Sequence, residues 1–151
     1  MLDADGNPRL LEHNVRFGDP ETQVLFALLE GDVAALMLSA ARGRLDLDCV
    51  TLRDDLHAVV VVLAAAGYPS SPRKGDVIHG LTELAQEHVH VFQAGTREEA
   101  GQLLTSGGRV AGITATGASA SVARTRAYGA IDTLCFSGMQ FRTDIATTAK
   151  T

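Results

Sequence analysis

The 151-residue chain has no tryptophan, two cysteines, four prolines and only 5% aromatic residues. With so few rings, its core must be mostly aliphatic. Cys49 and Cys135 lie far apart without a Cys-x-x-Cys pair, so two free thiols are expected rather than a disulfide. No cluster of lysine or arginine exceeds two adjacent residues and the formal charge is −5, which argues against a nucleic-acid partner. The longest apolar run, Ala58 to Gly67, holds about half the residues a membrane helix needs. The N-terminus reads MLDADGNPR, acidic and polar, with no signal-peptide pattern. These absences lead to the expectation of a soluble, cytoplasmic protein with no membrane partner.

What is present is ordinary for a globular domain: 46% hydrophobic and 21% charged residues, with 15 glycines. The length suits one domain, or a small domain plus part of another. Asp3-Ala4-Asp5-Gly6-Asn7-Pro8 is dense turn chemistry, and the alternation from Arg9 to Phe17 predicts a strand after it. Only Met1 and Leu2 precede that turn, so the sequence reads as starting inside a hairpin, as a truncated chain would.

Asp19-Pro20 reads as a helix start, with Asp as N-cap and Pro at the first helical position. Val24, Leu25, Leu28 and Leu29 follow at helical spacing. Gly31-Asp32 interrupts, and Val33, Leu36, Met37 and Ala40 predict a second helix closed by Gly43. From about Val50 the pattern changes to short strands: Ala58 to Ala65, Val89 to Phe92, and a hairpin over Leu103 to Ala115 turning at Gly107-Gly108. Ser119 or Ser121 caps a helix that places Ala123, Ala127, Ala130, Ile131 and Leu134 on one face. The expected core includes Val60, Val62, Val91, Ile113, Ala127 and Ile131, and the domain boundary falls near Gly43 to Cys49.

Chemistry concentrates in EHNVRFGDPETQ, Glu12 to Gln23. On a strand, Glu12, Asn14 and Arg16 share one face. One carboxylate and one amide are a plausible share of a magnesium shell that otherwise keeps water, and the Arg16 fork can grip a phosphate or carboxylate. The plain alternative is a strand edge with three solvated polar side chains. His79, His88 and His90 lack a third ligand at zinc-like spacing and read as solvated or hydrogen-bonded. Thr105-Ser106-Gly107-Gly108-Arg109 lacks the Lys-Ser/Thr ending of a phosphate loop. No Gly-x-Ser-x-Gly occurs, and neither cysteine neighbours a candidate base.

EHNVRFGDPETQ resembles the signature of the phosphoribosylamine–glycine ligase (glycinamide ribonucleotide synthetase) family of the ATP-grasp superfamily. Ala65-Ala66-Gly67-Tyr68-Pro69, Lys74 to Leu81, Ala94-Gly95-Thr96 and Thr105 to Val110 resemble that family's C-terminal blocks in the same order. The resemblance implies an α+β fold: the last strand and helices of an ATP-grasp core (residues 1–48), then a small mixed β domain with one packed helix (49–151). It implies an ATP-dependent carbon–nitrogen ligase of purine biosynthesis that joins glycine to 5-phosphoribosylamine through an acyl phosphate. Glu12 and Asn14 would hold magnesium or manganese against the phosphates of ATP, the co-substrate. Arg16 would stabilise the acyl phosphate as the catalytic cation, and Asp19 and Pro20 would lie beside the substrates.

Two departures are visible: Gln93 stands where a His is common, and Ala146 where a Gly is common. Family members are far longer, so the missing N-terminal part would be a required partner and the chain alone is expected to be inactive. A non-catalytic binding or scaffold module stays open, as does another ATP-grasp ligase or carboxylase, although Phe17 to Gln23 speaks against the latter.

Overall fold

A short acidic turn comes first. Asp3 accepts at Oδ1 from the Asp5 and Asn7 amides, at 3.1 and 2.8 Å, and Leu2 pairs with Pro8 in a single antiparallel bridge. The computed structural model describes residues 2–13, 15–82, 84 and 86–147. After Pro8 the expected strand over Arg9 to Phe17 is not formed: its described residues carry no ladder. A lone extended segment has no partner for its backbone groups and leaves them to water, which is why period-two patterning by itself does not make a strand. Asn14 lies outside the described residues, so its place relative to Glu12 does too.

Helix α1 (Glu21–Ala27) begins one residue later than the sequence suggests: Pro20 occupies the N-cap position, and no side chain caps the helix. The expected Asp19 cap is therefore corrected, because its carboxylate is committed elsewhere. A three-residue strand β1 (Leu29–Gly31) leads into α2 (Val33–Ala41). Asp32 caps α2 by accepting from the Ala35 amide at 2.8 Å, the ordinary role of aspartate at that position. One 3-10 turn (Leu47–Cys49) precedes β2 (Val50–Leu52), which pairs with β1. That ladder spans the expected boundary near Gly43 to Cys49.

The principal sheet contains β3 (His57–Ala64), β4 (Val89–Gln93) and, between them, β7 (Arg109–Gly117); β5 (Thr96–Glu99) and β6 (Gln102–Thr105) form a separate ribbon. All these pairs are antiparallel, with Val61, Ile113 and Val91 side by side across the sheet. The central strand is buried from Val110 to Gly117, as its uncharged RVAGITATG sequence demands after the first residue. Helix α3 (Ala120–Ile131) starts at Ser119, whose hydroxyl accepts from the Val122 amide at 3.2 Å. Its Ala123, Ala127, Ala130 and Ile131 recur at helical spacing and are buried. They pack against Val59, Val61, Leu63, Ala111, Ile113 and Ala115, each large aliphatic contributing roughly 1.5–3 kcal/mol on burial.

Two sequence expectations change here. Val60 and Val62 are only partly buried and lie on the sheet face opposite α3. β3 is apolar on both faces, so alternation could not choose between its odd and even residues. The expected hairpin over Leu103 to Ala115 is also absent, since β6 and β7 belong to different sheets. Both edges of each strand are already taken. β7 has β3 and β4, while β6 has β5 and the segment at Asp76 to Ile78, where Thr105 N donates to Asp76 O at 2.9 Å and Ile78 N to Leu103 O at 2.8 Å. The tight hairpin is instead β5–β6, turning at Ala100 and Gly101 with φ of 51° and 74°. Among the described residues, no helix is long and apolar enough to cross a membrane.

Candidate functional site

α1 packs against β3 and β7, on the face that α3 leaves uncovered. Its Phe26 meets Phe17 edge to face, ring centroids 5.4 Å apart, and both line a cleft with Phe92 of β4. This aromatic group seats Phe17, just before α1, against the sheet. Glu12 and Arg16 precede it, both exposed, and with His13 and Val15 they line one shallow depression. Arg16 donates from Nη1 to its neighbour's carbonyl, Phe17 O, at 3.1 Å. The structure thus brings Glu12 and Arg16 to one surface. Among the described residues the depression offers one carboxylate, that of Glu12, beside one guanidinium.

Asp19 and Pro20 lie further along, at the entrance to α1. Asp19 is held by Arg109, the first residue of β7: Nη1 donates to Asp19 O at 3.1 Å and Nη2 lies 3.0 Å from Asp19 Oδ2. Sequence reasoning placed Arg109 in a turn and gave it no partner. The contact joins residues ninety positions apart, and spacing carries no signal of that kind.

The glycines of the family-like blocks have a physical role. A Cβ on Gly95 would stand 2.6 Å from Arg109 O and 2.8 Å from Gly107 N, and one on Gly108 would meet the Tyr68 ring at 2.5 Å. Three of these blocks, separate in sequence, therefore close on one another at the end of the sheet where Arg109 begins. Arg73 fastens the loop between them, donating to Asp76 Oδ2 at 2.8 Å and from Nη2 to Ser137 O at 2.8 Å.

The histidines are dispersed. His79 forms an isolated backbone bridge with Cys135, the His88 side chain lies 3.5 Å from Glu87, and His90 is exposed on β4. Among the described residues no group of three or more His, Cys, Asp or Glu could hold a metal ion. Cys49 and Cys135 are free thiols; burial and then the nearby Asp46 carboxylate push the Cys49 thiol above its usual range.

Comparison with known proteins accords with this arrangement. The family model described as phosphoribosylglycinamide synthetase, C domain, matches residues 58–148. The phosphoribosylamine–glycine ligase of Streptomyces coelicolor is 48% identical over 145 residues, covering 93% of this chain and 35% of the relative. That of Neisseria meningitidis serogroup A is 46% identical over 148 residues, covering 97% and 34%. The crystal structure of phosphoribosylamine–glycine ligase from Thermotoga maritima superposes with a TM-score of 0.77 at 40% identity, covering 93% of this chain and 34% of that one. The chain spans about one third of the length of these relatives.

Proposed function

Because the chain belongs to the phosphoribosylglycinamide synthetase C-domain family, we propose that it works as the C-terminal portion of a phosphoribosylamine–glycine ligase. The observation that carries this reading is the identity to such ligases along nearly the whole chain, including the segment before residue 58. In the reaction, ATP phosphorylates the glycine carboxylate. The amine of 5-phosphoribosylamine then attacks the acyl phosphate, giving glycinamide ribonucleotide, ADP and phosphate, a step of purine biosynthesis in the cytoplasm. Residues 1–48 act as the end of the ATP-grasp domain and 49–151 as the C domain.

Bringing anions together and passing a phosphoryl group between them is chiefly a problem of positioning and charge. Glu12 and Asn14 would hold magnesium or manganese, which neutralises phosphate charge when bound. The planar guanidinium fork of Arg16 can grip the acyl phosphate once it leaves the Phe17 carbonyl. Asp19 and Pro20 wall the substrate side.

A surface feature supports the need for the rest of the ligase. Among the described residues, the exposed large hydrophobics other than Tyr68 and Val122 all lie between Leu2 and Leu52, with Leu10 at 74%, Leu11 at 71% and Val15 at 94% exposure. So much open apolar surface marks an interaction site, and its occupant here is the remaining two thirds or so of the ligase length seen in the relatives.

The test is to mix the chain with a separately produced N-terminal portion of a ligase and follow ATP-dependent phosphate release that requires both glycine and 5-phosphoribosylamine. Glu12→Ala is expected to cut the rescued turnover by about a hundredfold or more, the scale for removing one transition-state charge contact. Rescue indifferent to Glu12→Ala would remove the metal assignment. Binding of the two parts without turnover would favour a scaffold.

A further inference from the structure

Two features at the start of α1 and one at the start of β7 meet at the Arg109 side chain. α1 has no side-chain cap, so Asp19 is not used where sequence rules would use it. Its carbonyl and its carboxylate both face the Arg109 guanidinium, at 3.1 and 3.0 Å. The backbone of Arg109 is itself seated: its carbonyl accepts from Gly95 N at 2.8 Å, and the space there admits no side chain on Gly95.

We propose that Arg109 is a positioning residue that clamps the Gly18-Asp19-Pro20 loop to the start of β7 and so sets where the substrate-side residues stand. The inference rests on the proposed ligase reading for its catalytic consequence, and on geometry alone for the clamp.

The chemistry suits arginine. A planar fork presents two donors in fixed relation, and here they meet the neutral main-chain carbonyl and the side-chain carboxylate of one residue. A lysine would offer a single mobile ammonium on a flexible stem, without the fixed spacing of the two guanidinium donors. Exposed ion pairs add little to global stability, and both partners are substantially exposed, at 42% and 55%. The effect of the clamp is therefore local: it orders a loop without holding the fold. The Gly107-Gly108 pair immediately before Arg109 brings the chain close beneath Tyr68 and beside Gly95, which aims β7's first side chain at the loop.

The first arm of the test uses the 151-residue chain by itself and needs no activity. Thr22 and Gln23 amides donate to Gly18 O and Pro20 O at 3.0 and 3.2 Å, so their hydrogen exchange reports loop order. Arg109→Gln is expected to speed exchange at Thr22 and Gln23 about tenfold while leaving β3, β7 and α3 amides unchanged, and Arg109→Lys to give a smaller increase. No change at Thr22 and Gln23 would overturn the clamp. An equal increase throughout the sheet would also overturn it, by making Arg109 a residue of the fold. The second arm uses the chain mixed with the ligase N-terminal portion: Arg109→Gln is expected to raise KM for glycine or 5-phosphoribosylamine about tenfold with kcat changed less, partly restored by lysine. Were the wild-type mixture inactive, the ligase reading would fail while the exchange result still judged the clamp. Unaltered KM in an active mixture would overturn the positioning role.

Discussion

Single residues show where this chain departs from ease. Thr114 is completely buried on β7 and its Oγ1 has no hydrogen-bond partner among the described residues. An unmet buried hydroxyl costs about 1–3 kcal/mol, and an apolar group of the same shape avoids that cost. Thr114→Val is expected to raise the urea midpoint, by about 1 kcal/mol in unfolding free energy; a lower midpoint would mean the hydroxyl is satisfied after all. Ala146 sits at φ 56°, a left-handed conformation that costs an L-residue roughly 1–2 kcal/mol. It stands where the family resemblance leads one to expect glycine, and the backbone supplies the reason. Ala146→Gly relieves that strain, offset by roughly 0.5–1 kcal/mol of glycine chain entropy, so a small rise in Tm is expected.

Among the described residues, three carboxylates lie below their ordinary value of 3.8: Asp3 through the Asn7 amide, Asp55 through Arg53 and Asp144 through Arg142. Because the folded values are lowered, their contribution is complete above about pH 4, the ordinary carboxylate value, and is lost as pH falls through the folded ones. Asp55→Asn should therefore flatten part of the acid loss measured by urea titration below pH 4.

Secondary-structure elements were legible wherever a local signal and a tertiary partner agreed. The helices at Val33–Ala41 and Ala120–Ile131 follow their caps and apolar stripes, and the Val-rich β3 follows its composition. Pairing was less legible. Gly107-Gly108 looks like a hairpin turn, yet those glycines exist for close backbone approach, and the true two-residue turn at Ala100-Gly101 lacks the Asn-Gly or Asp-Gly signature. That second point is testable. Both central residues have positive φ, the geometry Asn-Gly favours, so Ala100→Asn is expected to protect the β5–β6 amides in hydrogen exchange several-fold. Unchanged protection would deny that the turn limits this ribbon. Arg9 to Phe17 shows the opposite failure: its alternation is clear, but no described strand lies beside it to complete a ladder. Of the candidate site, residue types were readable in sequence; the Arg109–Asp19 contact was not, because it depends on how two distant segments pack.

At the scale of the molecule, the chain is uneven. Its aliphatic core gathers around β7 and α3, whereas residues 21–41 form two helices with no fully buried side chain. Large hydrophobics remain open along the first third. On the proposed ligase reading, such a surface would face a larger ATP-binding body, since phosphoryl transfer requires ATP held in line with the carboxylate it activates. The most direct measurement is ATP-dependent phosphate release, with glycine and 5-phosphoribosylamine both present, by the purified chain alone and by the chain mixed with a ligase N-terminal portion. The account expects no turnover above background from the chain alone and clear turnover from the mixture. Robust turnover by the chain alone would contradict it.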